Sequence, residues 1–252
     1  MSREELLSYK KKKGLDLGQL EKDYLLELTL LLLSRETGNE LIFKGGTCLY
    51  KFHGLNRFSE DLDFSAMGKL DTENLFHRLL HGLLDFGVRA NLKTVREPYD
   101  TVLATLRMEG PLFNGNSMTL ATVRIDINKK SKVLFPPISP TFYSSYREIT
   151  PFQVLCMDPV EIVAEKIRAI VQRDKARDVY DLWFLLQKGI QLDLKLIQKK
   201  MEYYGTSFAK SVFISRLEHK RPDWENDLKR LVFGPLPDFG KVRGDIEKAI
   251  GT

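Results

Sequence analysis

Cysteine is scarce in this sequence. Cys48 and Cys156 are the only two in 252 residues, and no C-x-x-C spacing links them. That excludes a disulfide framework and a zinc knuckle and fits a reducing cytoplasm. Long apolar runs are also missing. The greasiest stretch, "LLELTLLLL" from Leu25 to Leu33, is interrupted by Glu27 and is too short to span a bilayer. The opening "MSREELLSYKKKKG" is charged and carries no apolar signal core, so no membrane partner is expected. There is no low-complexity tract and no internal repeat. The glycine-rich region contains neither G-x-x-x-x-G-K-[ST] nor G-x-G-x-x-G, which removes the two commonest nucleotide-binding loops.

What is present describes an ordinary globular chain, with 43% hydrophobic and 29% charged residues. The net charge of +5 is compatible with a polyanionic partner without requiring one. At this length a two-part molecule is expected, divided at 1–150 and 151–252.

Leucines at helical spacing over residues 17–36 predict a buried helix ending at "RETGNE". "LIFK" (41–44) reads as a short buried strand. Gly45-Gly46 then make a sharp turn, Thr47 is placed to cap a short helix "CLYKFH", and "DLDFS" is the next strand. A helix over 72–86 precedes three alternating segments, "VRANLKTV", "VLATLRME" and "LATVRIDIN", which predict sheet strands, mostly antiparallel. The proline-rich "LFPPISPTFYSS" reads as a connection. From Asp158 onward helices are expected near 159–173, 176–188, 193–203, 205–218, 222–232 and 241–250. The expected class is therefore α+β, a mixed or antiparallel N-terminal sheet flanked by helices with a helical C-terminal region.

Side chains alternate across a strand, so Asp61 and Asp63 share one face of "DLDFS". Two neighbouring carboxylates repel unless a cation lies between them, and magnesium, which prefers oxygen ligands, suits them. In "TVRIDIN", Val123, Ile125 and Ile127 face the core, with Arg124, Asp126 and Asn128 opposite. If that strand lies beside "DLDFS", Asp126 becomes a third acid at the site. Such a set could hold metal ions that neutralise a triphosphate and activate an attacking hydroxyl, while the glycine turn lets backbone amides approach phosphates. The plainer alternative is an ordinary turn beside a solvated strand edge.

Two later features allow both a structural and a functional reading. "MDPVEIVAEKIRAIVQR" opens with Asp158 as N-cap, Pro159 in the first turn and Glu161 completing a capping box, and it carries Lys166 at the border of its apolar stripe. Lys166 there is either a solvated lysine or a site residue. In "KARDVYDLWFLL", Asp178 and Asp181 share a helical face, where Arg177, Arg173 or Lys166 could pair them in a structural network. Near the C-terminus, Lys200, Lys210, Arg216, Lys220 and Arg221 are mixed with Tyr203, Tyr204 and Trp224. That pattern suits an RNA surface, but the helical spacing of the aromatics favours a core.

Taken in order, "FKGGTCLYKFHGLNRFSEDLDFS", "AEKIRAI" and "RDVYDLWFLL" resemble the AbiEii/AbiGii toxin family of nucleotidyl transferases, within the DNA polymerase beta-like superfamily. The resemblance covers roughly residues 40–190. It implies that Gly45, Gly46 and Thr47 hold the nucleotide together with Arg57, Ser59 and Asp181. It further implies that Asp61 and Asp63 bind magnesium and act in catalysis, Asp126 being a lesser metal ligand. Lys166 would contact phosphate and Asp178 would assist the site. The activity implied is transfer of a nucleotide from an NTP to an acceptor with release of pyrophosphate. The expected acceptor is tRNA, and the chain would be a cytoplasmic, monomeric toxin with a cognate antitoxin in phage defence. Modification of a protein hydroxyl and a non-catalytic partner-binding module are the alternatives.

Overall fold

The computed structural model describes residues 1–251. By its internal contacts the chain forms two compact units. The first comprises Met1–Cys48, Glu60–Lys132 and Ile138–Cys156, and the second Leu49–Ser59, Val133–Pro137 and Met157–Thr252.

The first unit is organised around one long helix. After two short helices, α1 (Arg3–Ser8) and α2 (Lys10–Lys13), α3 runs from Leu17 to Thr37. Its start is set by a capping box, in which the Asp16 carboxylate accepts from the Gln19 amide and the Gln19 side chain answers the Asp16 amide. Leu25, Leu26, Leu28, Leu30, Leu31 and Leu33 are all within 1% of full burial, so α3 is enclosed on every side rather than amphipathic. The acids that interrupt its apolar run are matched: Lys13 Nζ lies 2.8 Å from Asp23 and 3.0 Å from Glu27, and the Tyr146 hydroxyl donates to Asp23 at 3.0 Å.

The sheet follows in chain order: β1 (Leu41–Lys44), β2 (Asp61–Ala66), β3 (Ala90–Arg96), β4 (Thr101–Met108) and β5 (Ala121–Asn128), with α4 (Gly45–Phe52) after β1 and α5 (Thr72–Asp85) before β3. Spatially the order is β1-β2-β5-β4-β3. Only β2 and β5 run parallel. One face carries Leu62, Phe64, Val102, Ala104, Leu106, Val123, Ile125 and Ile127, all buried, beneath α3 and α5. The opposite face presents Asp61, Asp63, Arg124, Asp126, Thr105 and Arg107, each at least partly exposed. The proline-rich connection is not wholly irregular, because β6 (Thr141–Phe142) pairs with β7 (Phe152–Gln153). Phe43 of β1 donates its amide to the Leu155 carbonyl at 2.7 Å, which covers that edge of the sheet.

The second unit is helical: α6 (Pro159–Gln172), α7 (Ala176–Gln187), α8 (Leu194–Glu202), α9 (Lys210–Glu218), α10 (Trp224–Leu228) and α11 (Phe239–Gly251). Asp158 caps α6 by accepting from the Val160 amide at 2.8 Å. Glu161 does not complete the expected capping box. It is fully buried, accepts from the Leu134 and Phe135 amides at 2.9 Å each, and is met by Lys200 Nζ at 2.6 Å. Two backbone donors and an ammonium at a buried position outcompete the local cap. α9 and α10 are shorter than their periodicity suggested. Trp224 is 3% exposed and Lys200 and Lys220 are buried, so this part of the basic-aromatic stretch is core.

Among the described residues, no helix is long and apolar enough to cross a membrane.

Candidate functional site

The first unit assembles the glycine turn and the acids. Gly45 has φ +75°, a left-handed conformation that most side chains resist. A Cβ built there would lie 2.2 Å from Asp63 Oδ2, so the Asp63 carboxylate sits directly against the turn and nothing larger than glycine fits between them. α4 starts at Gly45 itself. Thr47 therefore lies inside the helix rather than capping it, and its hydroxyl donates to the Asp61 carbonyl, tying the turn to the start of β2.

The ladder places the three acids as the alternation required. Asp63 is in register with Asp126 and Asp61 with Arg124 across the parallel β2–β5 pair. All four side chains therefore share the face opposite α3 and α5. The Arg124 guanidinium grips Asp61 with both arms, Nε to Oδ1 at 2.8 Å and Nη2 to Oδ2 at 3.1 Å. Lys22 of α3 donates to the Thr122 carbonyl. Burial pulls its ammonium below the usual lysine range against the nearby charges of Glu60 and Asp61.

Whether this face suits a hard divalent cation can be judged from its donors. Asp61, Asp63 and Asp126 offer only carboxylate oxygen, the ligand type magnesium takes. The structure does not draw them together in advance: among the described residues, no three acidic, histidine or cysteine side chains converge tightly enough to form a ready-made metal cluster. The donors fit a divalent ion in kind, and Arg124 is the cation that neutralises part of the face without one.

The second unit gathers the remaining predicted residues. Arg57, 2% exposed, makes a bidentate pair with Asp181, Nε to Oδ1 and Nη2 to Oδ2, both at 2.7 Å. Its third arm donates to the Phe58 carbonyl at 2.9 Å. The segment carrying it is held by the Phe58 amide donating to the Leu231 carbonyl at 2.7 Å. Lys166 Nζ bridges the two acids of α7, at 2.6 Å from Asp181 Oδ2 and 2.9 Å from Asp178 Oδ1. Arg173 closes the chain with a second fork onto Asp178, at 2.8 and 2.9 Å. Three cations thus serve two fully buried carboxylates. Burial alone would raise the Asp178 carboxyl, but the Lys166 ammonium and the Arg173 guanidinium outweigh it and hold the acid well below its usual range. Asp181 is lowered in the same way, Arg57 and Lys166 overcoming its burial. Lys166 is buried and doubly paired rather than solvated, and Ser59 is buried beside Phe58.

The predicted residues therefore fall into two sets: Gly45, Gly46, Thr47, Asp61, Asp63 and Asp126 in the first unit, and Arg57, Ser59, Lys166, Asp178 and Asp181 in the second. Arg124 is the residue whose part the sequence reading missed. The signal was available, since it stands two positions before Asp126 on the same strand face, opposite Asp61 in any parallel pairing that aligns the two aspartates.

Two solved structures share the fold over nearly the whole chain. MenT4, a nucleotidyltransferase toxin from Mycobacterium tuberculosis, superposes with a TM-score of 0.66 at 20% identity, covering 99% of this chain and 88% of its own. JHP933 from Helicobacter pylori superposes with a TM-score of 0.55 at 20% identity, covering 94% and 92%. No curated protein matches the chain in sequence. The family model described as "Nucleotidyl transferase AbiEii toxin, Type IV TA system" matches residues 31–244, which takes in both the acidic strand face and the buried ion-pair network. This chain belongs to the AbiEii family of nucleotidyltransferase toxins of type IV toxin–antitoxin systems.

Proposed function

We propose that the protein transfers a nucleotide from an NTP to the 3′ hydroxyl of an RNA, with tRNA the expected acceptor and magnesium the expected ion. The observation that carries this reading is the contact of Gly45 with Asp63 on a strand whose acids are in register with Asp126. A backbone turn that can approach phosphate oxygens lies directly against carboxylates able to hold a cation. The acceptor oxygen forms a bond to the α-phosphorus, the bond to the bridging oxygen of the β-phosphate breaks, and pyrophosphate leaves. The hydroxyl proton passes to a carboxylate of the acidic face.

Bound at Asp61, Asp63 and Asp126, magnesium would neutralise triphosphate charge and favour the ionised acceptor oxygen. The chain's own residues supply the remainder. Gly45 and Gly46 let the backbone approach the nucleotide, and Thr47 fixes that turn to β2. In the second unit, Arg57 and Asp181 lock the position of Lys166. The lysine has one donor beyond its two acid contacts to offer a phosphate, and Asp178 orients it. Ser59 completes the nucleotide-binding set. We assign the transferase domain to residues 1–150 and a helical domain to 151–252. The proposed context is a cytoplasmic monomer, paired with a cognate antitoxin and acting in phage defence.

Incubating the purified protein with magnesium, each labelled NTP in turn and total tRNA tests this, with an Asp61→Ala/Asp63→Ala double variant alongside. Label should enter RNA with the native chain and not with the variant. Label on protein, or equal labelling by both, overturns the reading.

A further inference from the structure

The open face of the sheet does not end at the acids. The strand register carries it onward: Arg124 is opposite Thr105 on β4, and two residues along β4 comes Arg107, opposite Asn91 on β3. One step further, the Glu109 amide donates to the Arg89 carbonyl at 2.8 Å, which extends the pairing and puts Arg89 beside Arg107 on the same face. At this end of β3 and β4 the surface forms a cleft lined by Arg89, Asn91, Arg107, Glu109 and Ser117.

Two features give this cleft a chemical character. Arg89 is exposed and Arg107 half-buried, and neither side chain is engaged in a hydrogen bond or ion pair among the described residues. Most other arginines here are committed: Arg57 to Asp181, Arg173 to Asp178, Arg124 to Asp61 and Arg168 to Glu165. Two unspent guanidiniums converge with an amide and a hydroxyl, and the one acid, Glu109, balances only one of them. That composition suits a phosphate oxygen, which guanidinium donors meet in pairs. From Asp61 the cleft lies two strand spacings across and two residues along, on the order of 12 Å between backbone positions.

Resting on the nucleotidyl-transfer reading, we infer that the acceptor RNA lies along this face, its reacting end at Asp61, Asp63 and Asp126, and that Arg89 and Arg107 hold a phosphate of its backbone a few nucleotides upstream. The polar strip between the two ends, with Thr105 at its centre, is the path of the strand. The cleft contributes acceptor affinity and register, and it takes no part in the chemical step.

The test compares the native chain with Arg89→Gln/Arg107→Gln, using labelled NTP, magnesium and total tRNA. Each lost charge-assisted contact should raise KM for tRNA roughly tenfold. At saturating tRNA, kcat should stay within about twofold of native, as for a group that binds substrate and transition state equally. The salt dependence of kcat/KM should flatten by about one unit of logarithmic slope per arginine removed. Arg89→Lys/Arg107→Lys should restore most of the salt slope. Magnesium and NTP should raise the melting temperature of all three proteins alike, which shows that the variants are folded and leaves their nucleotide site intact. If the native chain labels tRNA and the double glutamine variant does so with unchanged KM and salt slope, the cleft is not the acceptor site and the transferase reading stands. If the native chain labels no RNA, the transferase reading itself fails and this inference with it.

Discussion

The two charged clusters of this protein hold their acids in opposite ways. On the open sheet face, Asp61 is 19% exposed and its partner Arg124 is 54% exposed, so the pair is screened by water. In the helical unit, Asp178 and Asp181 are fully buried, and Arg57, Lys166 and Arg173 approach them at 2.6 to 2.9 Å. The first arrangement can exchange one cation for another at small cost. The second cannot lose a partner without stranding charge in a poorly solvated interior. A ligand site and a scaffold can thus use the same residue types, and burial decides which role each set can play.

The largest effect that separates them should come from removing one acid in each place. Asp181→Ala leaves Arg57 and Lys166 without their shared carboxylate and should lower the unfolding free energy by about 3–5 kcal/mol. Asp61→Ala removes a half-exposed pair and should cost under about 1 kcal/mol. Urea unfolding of the two variants measures both. Equal losses would erase the distinction between them.

Acid provides the next separation. The carboxyls of Asp178 and Asp181 are held below their unfolded value, so they bind protons less readily folded than unfolded. Their stabilisation is fully present above the unfolded aspartate value of about 4 and is lost as pH falls below it towards the folded values. Thermal melts from pH 6 down to pH 3 should show stability falling most steeply below about pH 4. Asp178→Asn should flatten that fall, whereas Asp61→Asn should leave its shape unchanged. A steeper fall in Asp178→Asn contradicts the sign of the shift.

A smaller effect is expected at the turn. Gly45→Ala meets both a left-handed backbone and the Asp63 carboxylate, so it should destabilise by about 1–3 kcal/mol and displace Asp63. Gly87→Ala, with the same φ of +75° but open space around it, isolates the backbone part. The two variants should differ in melting temperature, and equal melting temperatures would mean that Asp63 swings aside freely.

How far each cluster was legible beforehand follows from the range of its interactions. The strands β2, β4 and β5 were written in alternation, which a local pattern can show, and so was the shared face of Asp61 and Asp63. The register that brings Asp126 opposite Asp63 was only conditional, because it depends on β5 choosing β2 as a parallel neighbour across more than sixty residues. The network around Asp181 was less accessible. Arg57 lies 124 positions away from its partner, and nothing in "GLNRFSED" distinguishes a buried guanidinium from a solvated one. Glu161 shows the reverse failure, where a strong local capping pattern lost to the Leu134 and Phe135 amides, whose arrival no local rule foresees. The short helices α1 and α2 carry too few turns for periodicity to register.

The smallest stability effect belongs to Arg124, and it bears most directly on the open face. Arg124→Gln removes a guanidinium that is 54% exposed and should change stability by under about 1 kcal/mol. Its effect on cation binding should be larger in proportion, because the arginine and a divalent ion would compete for the same two oxygens of Asp61. A ligand of the folded state raises the melting temperature by mass action, so tighter binding appears as a larger rise at the same magnesium concentration. The variant should therefore gain more from magnesium than the native chain does. A smaller gain would mean that Arg124 serves the site by aiming Asp61, and that the ion binds with the guanidinium still in place.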